Sequence, residues 1–242
     1  MRRSPLALIV PLSALAAAFM LGVWAQSTGF TRSFMDLRSD LVYLIREHLK
    51  LVAISGAAGI FTGIALGIVL TRPFARAWMG VVMQVLNIGT SIPTLAKMAL
   101  AMTFIGIGTP PALIGLFVVT LLPVVTNTIV GLRSVPAHLI EAATGMGMTP
   151  RQILTAVELP NALFVMLAGV RTALAINVGT APLAFLIGAS SLGELIFTGI
   201  ALYDFRMMFI GALATALLAI LVDILVGQVQ YWAVRRGVNP LR

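Results

Sequence analysis

The hydrophobic positions of this chain are gathered into six long runs that short polar stretches separate. A helix that crosses the hydrocarbon core of a bilayer needs about 20 mostly apolar residues, and each run is close to that length. The pattern therefore predicts an all-α polytopic membrane protein with about six transmembrane helices. The predicted spans are residues 6–24, 51–70, 81–105, 112–132, 162–187 and 207–231.

Two of these runs differ from a simple membrane-spanning helix. The first follows Arg2 and Arg3 and ends in Val23-Trp24-Ala25, which resembles a signal-peptide cleavage site. The run is longer than the roughly 7–15 apolar residues of a signal peptide, so we favour a retained span. Gly179 and Pro182 interrupt the fifth run, so its outer part is expected to be irregular or re-entrant.

Composition agrees with a membrane protein: 60% of the residues are hydrophobic and 10% are charged, against about 25% charged in a soluble domain. The net charge of +8 does not predict a nucleic-acid partner, because the basic residues lie between the spans and not on one face. With no cysteine, the chain holds neither a disulfide nor a Cys-ligated metal. Its two histidines, far apart in sequence, do not predict a metal site.

The placement of Lys and Arg predicts that both termini are cytoplasmic, because cytoplasmic loops carry an excess of basic residues. The predicted inner side carries Arg2, Arg3, Arg72, Arg76, Arg133, Arg151, Arg235, Arg236 and Arg242. The predicted outer side carries Arg32, Arg38, Arg46, Lys50 and Arg206.

The loop between the fourth and fifth spans, residues 133–160, is long and polar and contains two short helical patterns. The first covers about residues 137–146. The second follows Thr149, with Pro150 at the first helical position and Gln152 three residues after Thr149, which is a capping-box arrangement. Pro160 is expected to end it. Two short amphipathic helices on the cytoplasmic side would form a docking surface for a soluble partner.

The loop carries a set of residues that includes the predicted helix start: Glu141, Ala142, Ala143, Gly145, Gly147, Thr149, Pro150, Leu159 and Pro160. With this set the loop resembles the EAA loop of ABC importer permeases. The resemblance implies a coupling helix that sits in a groove of a cytoplasmic ATPase.

Further runs are similar to the permeases for glycine betaine, choline, carnitine and related osmoprotectants. They include Ser91-Ile92-Pro93, Gly106-Ile107-Gly108, Gly169-Val170-Arg171-Thr172 and the Gly188 to Gly193 stretch. The resemblance covers nearly the whole chain after Leu51 and implies import by alternating access. Lys97, Ser190 and Ser191 depart from the family pattern, so the exact substrate stays open. The alternative is another small polar or amino-acid-like solute.

The chain has no GxxxxGK[ST] phosphate-binding loop and no catalytic motif, so we expect a transporter subunit and not an enzyme. No cofactor is expected on this chain, and ATP and Mg are expected on a partner. The resemblance implies a cytoplasmic ABC ATPase dimer, a second permease subunit, identical or not, and a periplasmic or lipid-anchored substrate-binding protein. The expected location is the bacterial cytoplasmic (inner) membrane, in contact with lipid.

Polar residues near the middle of the third and fifth spans are candidates for lining the translocation pathway. Pro93 and Pro182 are expected to interrupt the helices beside these residues, and irregular backbone at membrane depth is tolerated where it is buried or lines a cavity. Each residue alone would equally suit a hydrogen bond between helices. The candidates are Asn87, Thr90, Ser91, Asn177 and Thr180.

Two charges inside predicted spans, Arg171 and Asp223, are expected to face the protein interior and to form an ion pair. An unpaired charge at the centre of a membrane helix costs about 2.5–3.5 kcal/mol. A structural brace is the favoured interpretation over a role in transport. Lys97 is expected to extend to the outer interface or to pair with an acid such as Glu194.

The second span carries Gly59, Gly63 and Gly67, whose spacing predicts close packing against another helix. The predicted division is 1–50 for the first span and a periplasmic linker, 51–232 for the transport core, and 233–242 for a cytoplasmic tail.

Three other classes of membrane protein compete with an ABC permease. An ion-gradient transporter would be expected to show inverted repeats and a carboxylate near the middle of the membrane. The chain shows no clear repeat, and Asp223 is expected too near the cytoplasmic end. An intramembrane enzyme is disfavoured because the chain has no catalytic motif. A non-transporting membrane scaffold is disfavoured more weakly, by the broken spans and the polar residues within them.

Overall fold

A computed structural model describes residues 29–234 together with Met20, Val23, Gln26 and Ser27. The predicted first span therefore lies almost entirely outside the described residues, as does nearly all of the predicted tail. The α-helices of the described part are α1 (Phe30–Asp36), α2 (Arg38–Thr71), α3 (Met79–Ser91), α4 (Thr94–Ile105), α5 (Thr109–Arg133), α6 (Ala137–Gly145), α7 (Pro150–Ile153), α8 (Leu159–Thr180), α9 (Gly193–Ala201) and α10 (Phe205–Ala233).

Four continuous helical stretches of the described residues are long and apolar enough to cross a bilayer. They are Arg38–Thr71, Thr109–Arg133, Pro150–Ile187 and Phe205–Ala233. The bent pair α3 and α4 makes a fifth if it counts as one span. The predicted all-α membrane architecture is confirmed, although α2 begins at Arg38 and not near residue 51 as predicted.

The third span is broken at Pro93, as the sequence predicts, so residues 81–105 belong to two helices. The helical stretches on either side of Ile92 and Pro93 meet at 97°. Pro93 has no backbone N–H to donate, and its ring forces the preceding residue out of the helical region. Ile92 accordingly adopts an extended conformation, with φ −71° and ψ 129°.

The fifth span is regular as far as Thr180 and continues as a 3₁₀ helix over Ala181–Ile187, which confirms the irregular outer part. Gly188, with φ 84°, then reverses the chain toward α9. The sequence did not predict α9, which packs against α10 to form a helical hairpin.

Pro160 does not end a helix, which corrects the prediction for the loop. The helix that starts at Pro150 passes through a π-helical turn, Leu154–Glu158, and continues into α8. A proline inside a helix lacks a donor and crowds the preceding turn, and a wider π turn relieves that crowding. Asn161 also donates from Nδ2 to the Val157 carbonyl, at 2.7 Å.

The central contact of the fold is between α2 and α5, and three glycines make it possible. A Cβ atom built on Gly59, Gly63 or Gly67 would lie 2.6–2.8 Å from side-chain atoms of α5. Real Cβ atoms essentially never approach so closely, so only glycine fits these three positions. The predicted glycine seam is therefore confirmed, and its partner is a helix of the same chain.

Candidate functional site

The loop between α5 and α8 folds as two short helices joined by a tight turn. Gly147, at φ 78°, adopts the left-handed conformation that ends α6. Its N–H donates to the Thr144 carbonyl at 2.9 Å, and Met148 donates to the Ala143 carbonyl at 3.1 Å. Residues with a Cβ atom rarely adopt that conformation, so this position favours glycine on backbone grounds alone.

The start of α7 has the predicted capping box. The Thr149 N–H donates to Gln152 Oε1 at 2.8 Å, and the Gln152 N–H donates to Thr149 Oγ1 at 3.4 Å. Pro150 occupies the first helical position, where its missing N–H leaves no hydrogen bond unmade. The turn from α6 into α7 is thus held by backbone geometry and by local side chains.

Most of the residues predicted for the coupling loop lie on its exposed surface. The exposed ones are Glu141, Ala142, Gly145, Gly147, Thr149 and Pro150. Ala143 is buried against the bundle, and Leu159 and Pro160 are half-buried at the start of α8. Met146, at the turn, is 75% exposed, so an apolar side chain occupies the outermost part of the loop.

The loop is attached to the bundle by an apolar cluster and by one ion pair. Ile140 and Leu154 pack against the buried Leu132 and Val135. Arg72, directly after α2, lies 2.7 Å from Glu158 in the π turn, measured from Nη2 to Oε2. Sequence reasoning did not single out Glu158, although an arginine directly after one span and an acid shortly before another signal a possible pair.

Asn177 does not line a pathway in this structure, which corrects that part of the prediction. Its side chain is fully buried, and its Nδ2 donates to Ser55 Oγ at 3.0 Å and to Thr120 Oγ1 at 2.7 Å. These partners lie on α2 and α5, so the amide joins three helices. The prediction failed because the sequence does not show which side of α8 packs against other helices, and Asn177 lies on the side that faces α2 and α5.

The exposed side of α3 carries a stripe of polar residues. Gln84, Asn87 and Ser91 are all exposed and follow one another at helical spacing on one face. The exposed Val81, Val85 and Ile88 form a separate, apolar stripe beside them. Gln84 was not predicted, although its spacing from Asn87 and Ser91 is readable from the sequence.

The other two pathway candidates are less accessible than Asn87 and Ser91. Thr90 is half-buried toward α5 and donates to the Asn87 carbonyl at 3.0 Å. Thr180 is half-buried at the end of α8 and donates to the Ile176 carbonyl at 2.8 Å. Both hydroxyls therefore donate hydrogen bonds to backbone carbonyls of their own helices.

The structure brings Arg171 and Asp223 together in a bidentate pair. Nε and Nη2 of the guanidinium each lie 2.5 Å from a carboxylate oxygen. The two side chains are 43% and 36% exposed, so they lie at the surface of the chain and not in its interior as predicted. They border a groove of about 560 Å³ between α8 and α10.

Lys97 forms no ion pair with Glu194 among the described residues, so the predicted pairing of this lysine with that acid is not observed. The described residues also contain no cluster of His, Asp and Glu that could hold a metal ion.

These helices and this loop define a polytopic membrane protein with an exposed helical loop between two of its spans. Residues 59–236 match the profile of the family described as binding-protein-dependent transport system inner membrane component. The chain belongs to this family, and it is a permease subunit of an ABC importer.

The chain is similar to two curated proteins with transport functions. It is 58% identical over 186 residues to the osmoprotectant import permease protein OsmY of Salmonella typhimurium, covering 77% of this chain and 79% of that protein. It is 35% identical over 209 residues to the carnitine transport permease protein OpuCB of Listeria monocytogenes, covering 86% and 95%.

Among solved structures, the fold resembles a chain of the inward-facing MetNI methionine ABC transporter. The TM-score is 0.72 and the sequence identity is 25%. The similarity covers 83% of this chain and 99% of that chain. The likeness therefore extends over most of this chain.

Proposed function

We propose that this permease imports a small osmoprotectant of the class of glycine betaine, choline or carnitine. The observation that carries the proposal is the 58% identity to an osmoprotectant import permease. Relatives named for carnitine and choline transport support the same class of substrate. Import would proceed by alternating access, with the pathway open first to one side of the membrane and then to the other.

The exposed loop, residues 133–160, is proposed to dock onto a cytoplasmic ABC ATPase. Its two helices expose a polar surface around Glu141, and the turn between them presents the apolar side chain of Met146. Binding of the ATPase would bury Met146 at the centre of the contact and leave the polar residues at its rim, which is the usual arrangement of a protein–protein interface. ATP and Mg would bind to the ATPase dimer, and this chain would bind no cofactor.

The translocation pathway is proposed to run along the polar stripe of α3. Lipid does not hydrogen-bond to the amides of Gln84 and Asn87, so this stripe is expected to face water or protein. Ser91 continues the stripe to the break before α4, and the half-buried Thr90 and Thr180 are placed at its margins. A water-lined stripe of amides and hydroxyls suits a small polar solute.

A second permease subunit is proposed to cover the groove beside Arg171 and Asp223. A charge pair within membrane-spanning helices is expected to face protein or water and not lipid. The accessible side of α8 next to the pair carries small residues, which allow close approach of another helix. They are Ala168, Thr172, Ala175 and Gly179. The second subunit is either an identical chain or a paralogue.

The remaining parts of the proposal concern orientation and partners. Both termini are placed in the cytoplasm of a bacterial cell with the chain in the inner membrane, because the basic residues are more numerous on that side. A periplasmic or lipid-anchored binding protein would deliver the substrate. The division at residues 50 and 232 into N-terminal segment, transport core and tail is kept as part of the proposal.

Co-purification with the ATPase tests the docking surface. The wild type, Glu141→Ala and Gly147→Asp would be compared with Gly106→Asp as the matched control. Gly106 has a similar φ of 83° and equally open surroundings, but it lies between α4 and α5. We expect the two loop variants to lose the ATPase and the control to retain it; retention by all three would contradict the proposal.

Uptake into proteoliposomes that contain the complete transporter tests the substrate class. Glycine betaine, choline and carnitine would be compared with methionine, because the structural likeness to a methionine transporter favours an amino-acid-like solute as the second candidate. Uptake of methionine alone would reject the osmoprotectant assignment and leave the permease role intact.

A further inference from the structure

The proposed docking loop is connected to the bundle at a residue outside the EAA pattern. Glu158 ends the π-helical turn, directly before α8. Its carboxylate lies 2.7 Å from the guanidinium of Arg72, and the two side chains are 13% and 22% exposed. An ion pair so well shielded from solvent is screened by salt much less than a surface pair.

Arg72 is held in place by the end of α2. Its Nε donates to the Ile68 carbonyl at 3.3 Å, and its Nη2 donates to Thr71 Oγ1 at 3.1 Å. Glu158 Oε2 accepts no aligned hydrogen bond, so its contact with Arg72 is electrostatic. This charge contact and the apolar cluster that includes Ile68 and Leu154 together hold the π turn against α2, and the ion pair is the polar part of that attachment.

The π turn is an irregular joint between the loop and α8. A π-helical turn is wider than an α-helical turn and is frequent at functional sites. It stands between the capped start at Thr149 and Pro160, whose missing donor weakens the helix there. Without a further contact, movement of the loop would be partly absorbed in this turn.

The ion pair offers a second route for that movement. Arg72 follows α2, and α2 packs against α5 so closely through Gly59, Gly63 and Gly67 that the two helices are expected to move together. A displacement of the loop would thus reach α8 through the backbone and reach α2 and α5 through Glu158.

We propose that Arg72 and Glu158 form a positioning pair that transmits movement of the docking loop to the α2–α5 unit. This inference rests on the proposed docking of the loop onto an ATPase. The two residues would act through the helices they join and would determine how much transport results from each ATP hydrolysed.

The test uses the complete transporter in proteoliposomes and measures substrate uptake and ATP hydrolysis on the same samples. The variants are Glu158→Gln, Arg72→Gln, Arg72→Lys and the exchange Arg72→Glu with Glu158→Arg. The control is Lys50→Gln with Glu47→Gln, an ion pair of α2 that is more exposed than Arg72–Glu158 and lies about six helical turns before Arg72. Co-purification of the ATPase is recorded for every sample.

We expect the two Gln variants to retain the ATPase and to hydrolyse ATP, while uptake per ATP falls about fivefold, equivalent to about 1 kcal/mol. Arg72→Lys keeps the positive charge, so its uptake per ATP should fall less. The exchanged pair should recover part of the lost uptake per ATP. The control should match the wild type.

Unchanged uptake per ATP in the Gln variants would overturn the inference. So would a parallel loss of uptake, hydrolysis and assembly in every variant, because that result describes a brace for folding and not a route for movement. A wild type that captures no ATPase would instead overturn the proposed function, and this inference with it.

Discussion

Asn177 shows how a single polar side chain determines the arrangement of three helices. Its amide donates to Ser55 on α2 and to Thr120 on α5, while the neighbouring Val178 carbonyl lies 3.2 Å from His48 Nε2. Hydrogen bonds between membrane helices average about 0.6 kcal/mol and reach about 1.7 kcal/mol. Two such bonds from one residue therefore stabilise one register of α8 against its neighbours.

Replacement of Asn177 by alanine should destabilise the purified protein by about 1–2 kcal/mol, because both interhelical bonds are lost. The measurement is the melting temperature in detergent. Thr172→Ala, on the exposed side of the same helix, is the matched control because Thr172 bonds only to the Ala168 carbonyl of its own helix. Equal melting temperatures for the two variants would contradict the role given to Asn177.

At the scale of helices, the fold depends on one close contact and one break. The α2–α5 contact requires glycine, because a Cβ atom on Gly63 would lie 2.8 Å from Val124 side-chain atoms. The break at Pro93 turns α4 by about a right angle from α3 and leaves the polar stripe of α3 on a short helix. Each feature arises from a residue whose backbone differs from that of other residues.

Gly63→Ala should lower the free energy of unfolding by about 1–3 kcal/mol, because the added methyl group overpacks the contact. Gly89→Ala is the control, since its Cβ atom would meet Val118 at an ordinary distance of 3.6 Å. There alanine should be neutral or stabilising, by up to about 1 kcal/mol from helix propensity. The measurement is the melting temperature of both variants in detergent. Equal melting temperatures for Gly89→Ala and Gly63→Ala would contradict the close packing proposed for Gly63.

The polar stripe of α3 can be tested by thiol labelling, because the chain has no cysteine of its own. Single cysteines at Gln84, Asn87 and Ser91 should react with a charged, membrane-impermeant reagent in the assembled transporter, and substrate should slow the reaction. Cysteines at Val85 and Ile88, on the apolar stripe, should react at least about tenfold more slowly, since thiolates form poorly in lipid. Equal labelling rates on both stripes would show that α3 does not line the pathway.

At the scale of the whole molecule, the chain has a surface that lipid alone would not stabilise. Arg171 and Asp223 satisfy each other, yet both are more than a third exposed beside the groove between α8 and α10. Gln230 closes one end of this region by donating to the Phe164 carbonyl at 2.9 Å. The pair therefore joins two helices of this chain and also faces whatever covers the groove.

Arg171→Ala should reduce the folded yield strongly, because it leaves Asp223 unpaired at a cost of about 2.5–3.5 kcal/mol. The double variant Arg171→Ala with Asp223→Ala should recover much of the yield, since no lone charge remains. The measurement is the monodisperse fraction in size-exclusion chromatography after expression at equal levels. If the single and double variants lose the same yield, the two charges do not act as a pair.

The sequence by itself determined the elements that depend on local chemistry. Apolar runs of sufficient length predicted the spans, and the Thr149-Pro150-Gln152 spacing predicted the capping box, because a helix cap is made by residues within one turn. The glycine spacing in α2 similarly predicted a packed face. Family resemblance through the loop residues predicted the permease class, which the relatives confirm.

Only the tertiary structure decided which polar side chains are used inside the protein and which remain exposed. Asn177 and Asn87 look alike in sequence, but one is enclosed by α2 and α5 while the other lies on the open side of α3. The pairing of Arg72 with Glu158 also depends on two residues that are distant along the chain. Burial is set by the helices that surround a residue, and their arrangement is a property of the whole bundle.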